Sequence, residues 1–263
     1  MTMRIAVCML ALAMQGAFAT DIRTAAQQGG FPKYVEMKGG ATPVIGGLCV
    51  DIMRAIERAE PGLRFVGDQE WRPSLRVDTA LADGQIDAAC GMLRTPKREK
   101  LFHYIEAPLF PVTYYLAVRA DDTVKVRNWD DVRKLGANGI VLSNHGFEGV
   151  LAHMQAQGGI QVDSGGHDSR ANLTKLIAGR ARFFIHRSPG IEAEIARPGF
   201  EGKVKMLPTP MYSENFYMMV PKTMAPELRR KMTAAVSRIT ASGELGRLLK
   251  KWQGPHPAGA SLD

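Results

Sequence analysis

Apolar positions recur along this chain of 263 residues with two periods, one close to two residues and one close to 3.6. Ile22 to Ala26 reads as a first strand. Ile52, Ala55 and Ile56, after Gly46-Gly-Leu-Cys-Val-Asp51, have the 3–4 spacing of a buried helix face, with Asp51 in the first turn where a carboxylate suits the dipole. The pattern then predicts a strand over 63–66, a helix over 71–81 and a strand over 86–90. Thr95 followed by Pro96 predicts a helix start, an N-cap with proline at the first helical position. Pro111 to Arg119 and Asn215 to Pro221 are rich in β-formers and predict strands. Between them helix and strand alternate: helices over 129–135, 147–157, 172–178 and 189–196, strands over 139–143, 160–163, 181–186 and 204–207. Such alternation predicts a sheet flanked by helices, with a ligand at the carboxyl ends of its strands. The loops Ser143 to Phe147 and His186 to Ser188 qualify. Two helices over 225–252 and a loose tail over 254–263 complete the chain.

The start of the chain has a separate reading. Arg4, the apolar run Ile5 to Met14 and the small-x-small triplet Ala17-Phe-Ala19 predict an export leader over 1–19, cleaved after Ala19. The apolar run is too short to span a bilayer, and Cys8 within it is too early for a lipoprotein cysteine. The formal charge of +8 is scattered, and its densest run, Arg247 to Lys251, sits on a helical pattern as a solvated face. Export argues against nucleic acid as the partner, and a basic surface suits a small acidic one. Six histidines show no H-x-x-x-H spacing with acid support, so neither metal nor cofactor is expected. No Gly-x-Ser-x-Gly is present. Cys49 and Cys90 remain after the leader; in an oxidising compartment they either pair or serve as two small buried side chains.

The stretch Gly84 to Arg98 organises the rest. A helix ends at Gly84, a strand follows, and Gly91-Met-Leu-Arg-Thr-Pro-Lys-Arg98 opens into a helix. Free N–H groups at such a corner, a helix dipole and the Arg98 fork would favour an anion. The run G-x-I-D-A-x-x-G-M-x-x-T-P-x-R resembles the polar amino-acid class of periplasmic solute-binding proteins, family 3 with the type II fold. Supporting resemblances are G-x-x-V-D-I at residues 47–52, the segment Phe102 to Phe110 and the closing run Gly243 to Trp252.

The resemblance implies an α/β protein of two lobes with two hinge strands and a ligand cleft between the lobes. It implies lobe 1 over 20–115 plus 218–263 and lobe 2, inserted, over 116–217. Arg98 would grip a carboxylate, helped by Gly91, Met92 and Leu93, and loop aromatic Phe31 would face the ligand. Trp71 corresponds to a family tryptophan, although its spacing to Gly84 is about one helical turn longer. Asn144, His145, Gly146 and Phe147 would line the second lobe. The partner would be the membrane permease of an ABC importer, the location the periplasm and the state a monomer.

Departures from the family pattern bear on the ligand. Leu93 stands where a hydroxyl is usual, and Phe147 brings an apolar wall. Arg182 replaces one family Asp, and Arg187 falls where family members place the Asp that pairs with the ligand's ammonium. A cation there disfavours a plain α-amino acid by roughly 3–5 kcal/mol if it lines the cleft. The expected ligand is therefore a small anionic solute: a dicarboxylate, a keto acid or a modified amino acid. His186 is a neighbouring candidate. Two alternatives stand beside transport. One is a periplasmic dehydratase on the same fold, like the cyclohexadienyl dehydratases, with Glu148 or Glu36 moving a proton. The other is a ligand-sensing module that feeds no transporter.

Overall fold

The structure, a computed structural model, describes residues 19–28, 31–38, 43–144, 147–166, 168–253 and 260–261. The leader before Ala19 lies outside them. So do His145 and Gly146.

In chain order the first part holds β1 Thr20–Arg23, β2 Ala26–Gln27, β3 Val35–Met37, β4 Val44–Gly46, α1 Leu48–Ala59, β5 Leu63–Val66, β6 Trp71–Arg72, α2 Val77–Ala82, β7 Ala89–Leu93, α3 Pro96–Leu101 and β8 Phe102–Tyr104. The middle holds β9 Phe110–Arg119, α4 Trp129–Arg133, β10 Val141–Asn144, α5 Glu148–Gln157, β11 Val162–Gly166, α6 Ser169–Ile177, β12 Phe183–Ser188 and α7 Ile191–Ile195. Last come β13 Val204–Pro221, α8 Pro226–Ala241, α9 Glu244–Lys251 and β14 Ala260–Ser261.

A seven-stranded sheet runs through the molecule in the order β11-β10-β12-β9-β13-β7, with β8 also on β13. The strands β10, β11 and β12 are parallel, as the helix–strand alternation predicts. The two crossing strands, β9 and β13, pair antiparallel from Val204 opposite Arg119 to Phe216 opposite Phe110. They carry the chain out of the first half and back into it.

Helix α1 shows why the first half holds together. Its apolar stripe, Leu48, Cys49, Ile52, Met53, Ala55 and Ile56, is fully buried. Truncating Ile52 to alanine would cost about 2–5 kcal/mol. Asp51 on the same helix accepts hydrogen bonds from Lys251 Nζ (2.8 Å) and Trp252 Nε1 (2.7 Å), which brings the C-terminal helices back onto α1. Cys49 and Cys90 form a disulfide, with their Cα atoms 5.9 Å apart, fastening α1 to β7.

Several elements differ from expectation. The helix expected over 71–81 starts only at Val77; Trp71 and Arg72 pair with β2, and Pro73 is extended. A residue before proline is held out of the helical region, so Arg72 cannot continue a helix. The strand expected over 86–90 is shifted to Ala89–Leu93. The Asp87 and Ala88 N–H groups both donate to Arg23 O instead of joining the ladder. Residues 260–261 of the tail pair with β3. No helix among the described residues is long and apolar enough to cross a membrane.

Candidate functional site

The floor of the site is β7, all five residues of which are buried. Gly91 sits at φ +70°, and a Cβ there would lie 2.5 Å from Lys33 Cδ and 3.3 Å from Cys49 Sγ. Only glycine lets the Lys33 stem cross the strand so closely. The Lys33 amine donates to Gln27 Oε1 at 2.7 Å and to Gly91 O at 3.1 Å. Gln27 is itself oriented by donating to Cys90 O at 2.8 Å. Lys33 is only 8% exposed, lies 5.4 Å from the centre of the Phe216 ring, and has no carboxylate in hydrogen-bond contact. Burial first, then the Arg187 and Arg98 charges, push its pKa well below the ordinary lysine value.

Arg98 enters from α3. Thr95 caps this helix, accepting from the Arg98 backbone N–H at 3.2 Å, as the Thr-Pro pair predicts. Its guanidinium lines the cleft, but its Nε donates to Asp78 Oδ2 at 2.9 Å. The open corner expected after the strand is instead part of the sheet: Met92 and Leu93 stand in register with Tyr217 and Phe216. Fewer backbone donors are therefore free for an anion than the sequence suggests.

The facing wall comes from β12 and α6. Arg187 lies opposite Tyr114 in the ladder, and its guanidinium carbon is 5.2 Å from the Phe147 ring centre and 5.8 Å from that of Phe216. Its Nε is buried without a hydrogen-bond partner. Burial pushes the Arg187 pKa down, opposed by Tyr114, Glu194 and Glu214. Glu214 accepts from the Tyr114 hydroxyl at 2.9 Å, and Glu194 pairs with Arg197 at 3.2 Å; burial pushes both carboxyls up.

Behind Arg187 runs a polar chain. The Asn172 amide donates to Asn144 Oδ1 (2.8 Å), and Asn144 Nδ2 donates to Ser169 Oγ (3.0 Å). Ser169 Oγ lies 3.0 Å from His186 Nε2, and His186 Nδ1 lies 3.0 Å from Arg187 O. A carbonyl only accepts, so Nδ1 carries the proton and Nε2 accepts from the serine. Burial pushes the His186 pKa down to about 3, so the ring is neutral.

These walls enclose a cavity of about 820 Å³. Every expected cleft residue among those described lines it: Phe31, Trp71, Gly91, Met92, Leu93 and Arg98 on one side, Asn144, Phe147 and Arg187 on the other. Trp71 reaches the mouth from a strand, not a helix, beside Leu75, which is 88% exposed. Arg182, in contrast, lies away from the cleft, with Nε and an Nη donating to Asp122 at 2.8 and 2.9 Å. The cavity also takes in Lys33, Gln27 and Phe216, which the sequence reading did not assign to it. Glu36 and the exposed Glu148 lie on its lining too. No group of three or more metal-ligating side chains occurs among the described residues.

A family model for bacterial extracellular solute-binding proteins, family 3, matches residues 26–255. The chain belongs to that family. No curated protein matches this family-3 chain in sequence. Among solved structures, an amino acid ABC transporter substrate-binding protein from Streptococcus pneumoniae bound to L-arginine is 17% identical with TM-score 0.67, covering 88% of this chain and 94% of its own. A probable amino-acid ABC transporter extracellular-binding protein from Bacillus subtilis is 19% identical with TM-score 0.72, covering 90% and 98%. An ancestral amino acid-binding protein, described as a precursor of cyclohexadienyl dehydratase, is 19% identical with TM-score 0.66, covering 89% and 95%. These likenesses establish the two-lobed type II fold of the family-3 protein, and the Cys49–Cys90 bridge is one of its internal ties.

Proposed function

We propose that this family-3 protein captures a small acidic solute between its lobes and passes it to the membrane permease of an ABC importer. In this reading residues 1–19 direct export to the periplasm and are removed. Lobe 1 is 20–115 with 218–263, lobe 2 is 116–217, and the protein works as a monomer. Arg98, Gly91, Met92, Leu93, Phe31 and Trp71 meet the solute from lobe 1; Asn144, His145, Gly146, Phe147 and Arg187 meet it from lobe 2.

The observation that carries the reading is Arg187. Its Nε is buried without a partner in the cleft wall, between Phe147 and Phe216. A buried guanidinium Nε without a partner costs about 1–3 kcal/mol, and an anionic oxygen in the cleft would relieve it. The same guanidinium repels an ammonium, so a plain amino acid held by an amine anchor at this position fits poorly.

The test is a thermal-shift screen of the chain from Thr20 onward against amino, keto, mono- and dicarboxylic acids. Acids raise the melting temperature of the wild type, and Arg187→Ala removes the rise. An unchanged rise in Arg187→Ala, or stabilisation by neutral and cationic solutes alone, overturns the reading.

A further inference from the structure

Two basic groups deep in the cleft lack an acidic hydrogen-bond partner, and they stand on opposite walls. Lys33 belongs to the floor on β7's side and donates only to two neutral oxygens, Gln27 Oε1 and Gly91 O. Arg187 belongs to the facing wall, with its Nε unpartnered. Of the other basic groups on the lining, Arg98 is matched by Asp78 at 2.9 Å and Arg197 by Glu194 at 3.2 Å, and Arg170 is exposed to solvent. The Phe216 ring lies near both Lys33 (5.4 Å) and Arg187 (5.8 Å), so the two cations share one small region.

We propose that the solute is a short diacid, one acidic group held by Arg187 and the other by Lys33. The proposal rests on the acid-capture reading above and names the solute class within it. A single carboxylate would give a hydrogen-bonded acidic partner to only one of the two cations, whereas two carboxylates answer both. An ammonium has three donors, and Lys33 uses two on Gln27 and Gly91, which leaves a third for the solute. No amino group on the solute is required.

A consequence separates Lys33 from a passive neighbour. The groups around its amine are Gln27 from β2, Gly91 from β7, the Phe216 ring from β13, Arg98 from α3 and Arg187 from β12. The two charged ones are both cations, and with burial they hold the amine well below its usual pKa. An incoming carboxylate reverses that balance and raises the amine's pKa, so diacid capture takes up a proton at Lys33 in the pH range between its unliganded and liganded values.

The experiment is calorimetric titration of the chain from Thr20 onward with succinate and glutarate, and with propionate and alanine as controls. It is run at several pH values from neutral up to about the ordinary lysine range, in two buffers of different ionisation enthalpy at each. We expect a diacid to bind at least about tenfold tighter than the monoacids, with net proton uptake on binding. Lys33→Met and Lys33→Gln, each checked for a cooperative melt, should lose both the uptake and the preference. Equal affinity for mono- and diacids, or diacid binding with no proton uptake in the wild type at any of these pH values, overturns the proposal while leaving acid capture standing. No binding of any acid overturns both.

Discussion

Arg98 donates its Nε proton to Asp78, 2.9 Å away, on the same side of the cleft. The residue that the sequence marks as the anion clasp thus already has a carboxylate partner within the protein. Removing Asp78 should free it. The pair is partly exposed, with side chains 22% and 34% accessible, so the gain is small. Asp78→Asn is expected to tighten acid binding about two- to fivefold, an effect of under about 1 kcal/mol. Arg98→Ala should weaken binding less than Arg187→Ala does. Calorimetric titration of the three variants checks the order.

The unpartnered donor on Arg187 predicts a conflict between stability and binding. Replacing a partly buried charge that has no hydrogen-bonded acidic partner by an apolar side chain of similar length removes its desolvation cost, which outweighs the attraction of Glu194 and Glu214. Arg187→Met should raise the stability of the empty protein by about 1 kcal/mol or more. It should abolish acid-induced stabilisation in the same sample. Denaturant melts with and without solute show both effects, and a destabilised empty variant would contradict the account.

Cys49 and Cys90 are separated by 41 positions in sequence and fasten α1 to the strand beneath Lys33. Opening that bridge restores freedom to the unfolded chain. Reduction, or Cys49→Ser with Cys90→Ser, should lower stability by about 2–4 kcal/mol. Binding should weaken as well, because Cys90 O positions Gln27 and Gly91 O holds the lysine. Urea midpoints with and without reductant give the first number and titration the second.

His186 predicts a pH dependence. Its pKa is about 3 in the folded protein, against about 6.5 in an unfolded chain. Above 6.5 neither state holds the extra proton, and stability is independent of this group. Below it the unfolded state binds a proton that the folded state refuses, so stability falls as pH drops. The slope is about 1.4 kcal/mol per pH unit, or about 2 kcal/mol between pH 6.5 and 5, and it ends near pH 3. His186→Gln should flatten that part of the curve, as urea melts across this range would show.

What the sequence revealed and what it hid have physical causes. Thr95-Pro96 places a helix start because capping and proline geometry are local, and Oγ1 of Thr95 takes the expected N–H. Leu63–Val66 is the strand expected, with Leu63 and Phe65 buried in alternation. Arg187 was traceable through the family motif and does line the cleft. The helix expected from Trp71 fails at a residue in plain view, Pro73. Ile86 to Ala88 has strand composition, yet the Asp87 and Ala88 N–H groups are taken by Arg23 O, a partner 64 positions from Asp87, and no local pattern discloses that. Lys33 is the instructive omission. A lysine in a glycine-rich loop reads as a solvated side chain, and its burial depends on the absent Cβ of Gly91 and the position of Phe216.

The ladder between β9 and β13 loses its register on both sides of Pro210, between Met206 and Tyr212. Proline has no N–H to contribute, so the weave is thinnest there. Swinging one half of the molecule against the other has to crease a continuous fabric of peptide bonds, not flex two independent tethers. A crease at Pro210 would disturb the fewest of those bonds and would leave Phe216, which Lys33 and Arg187 both approach, in its place opposite Phe110.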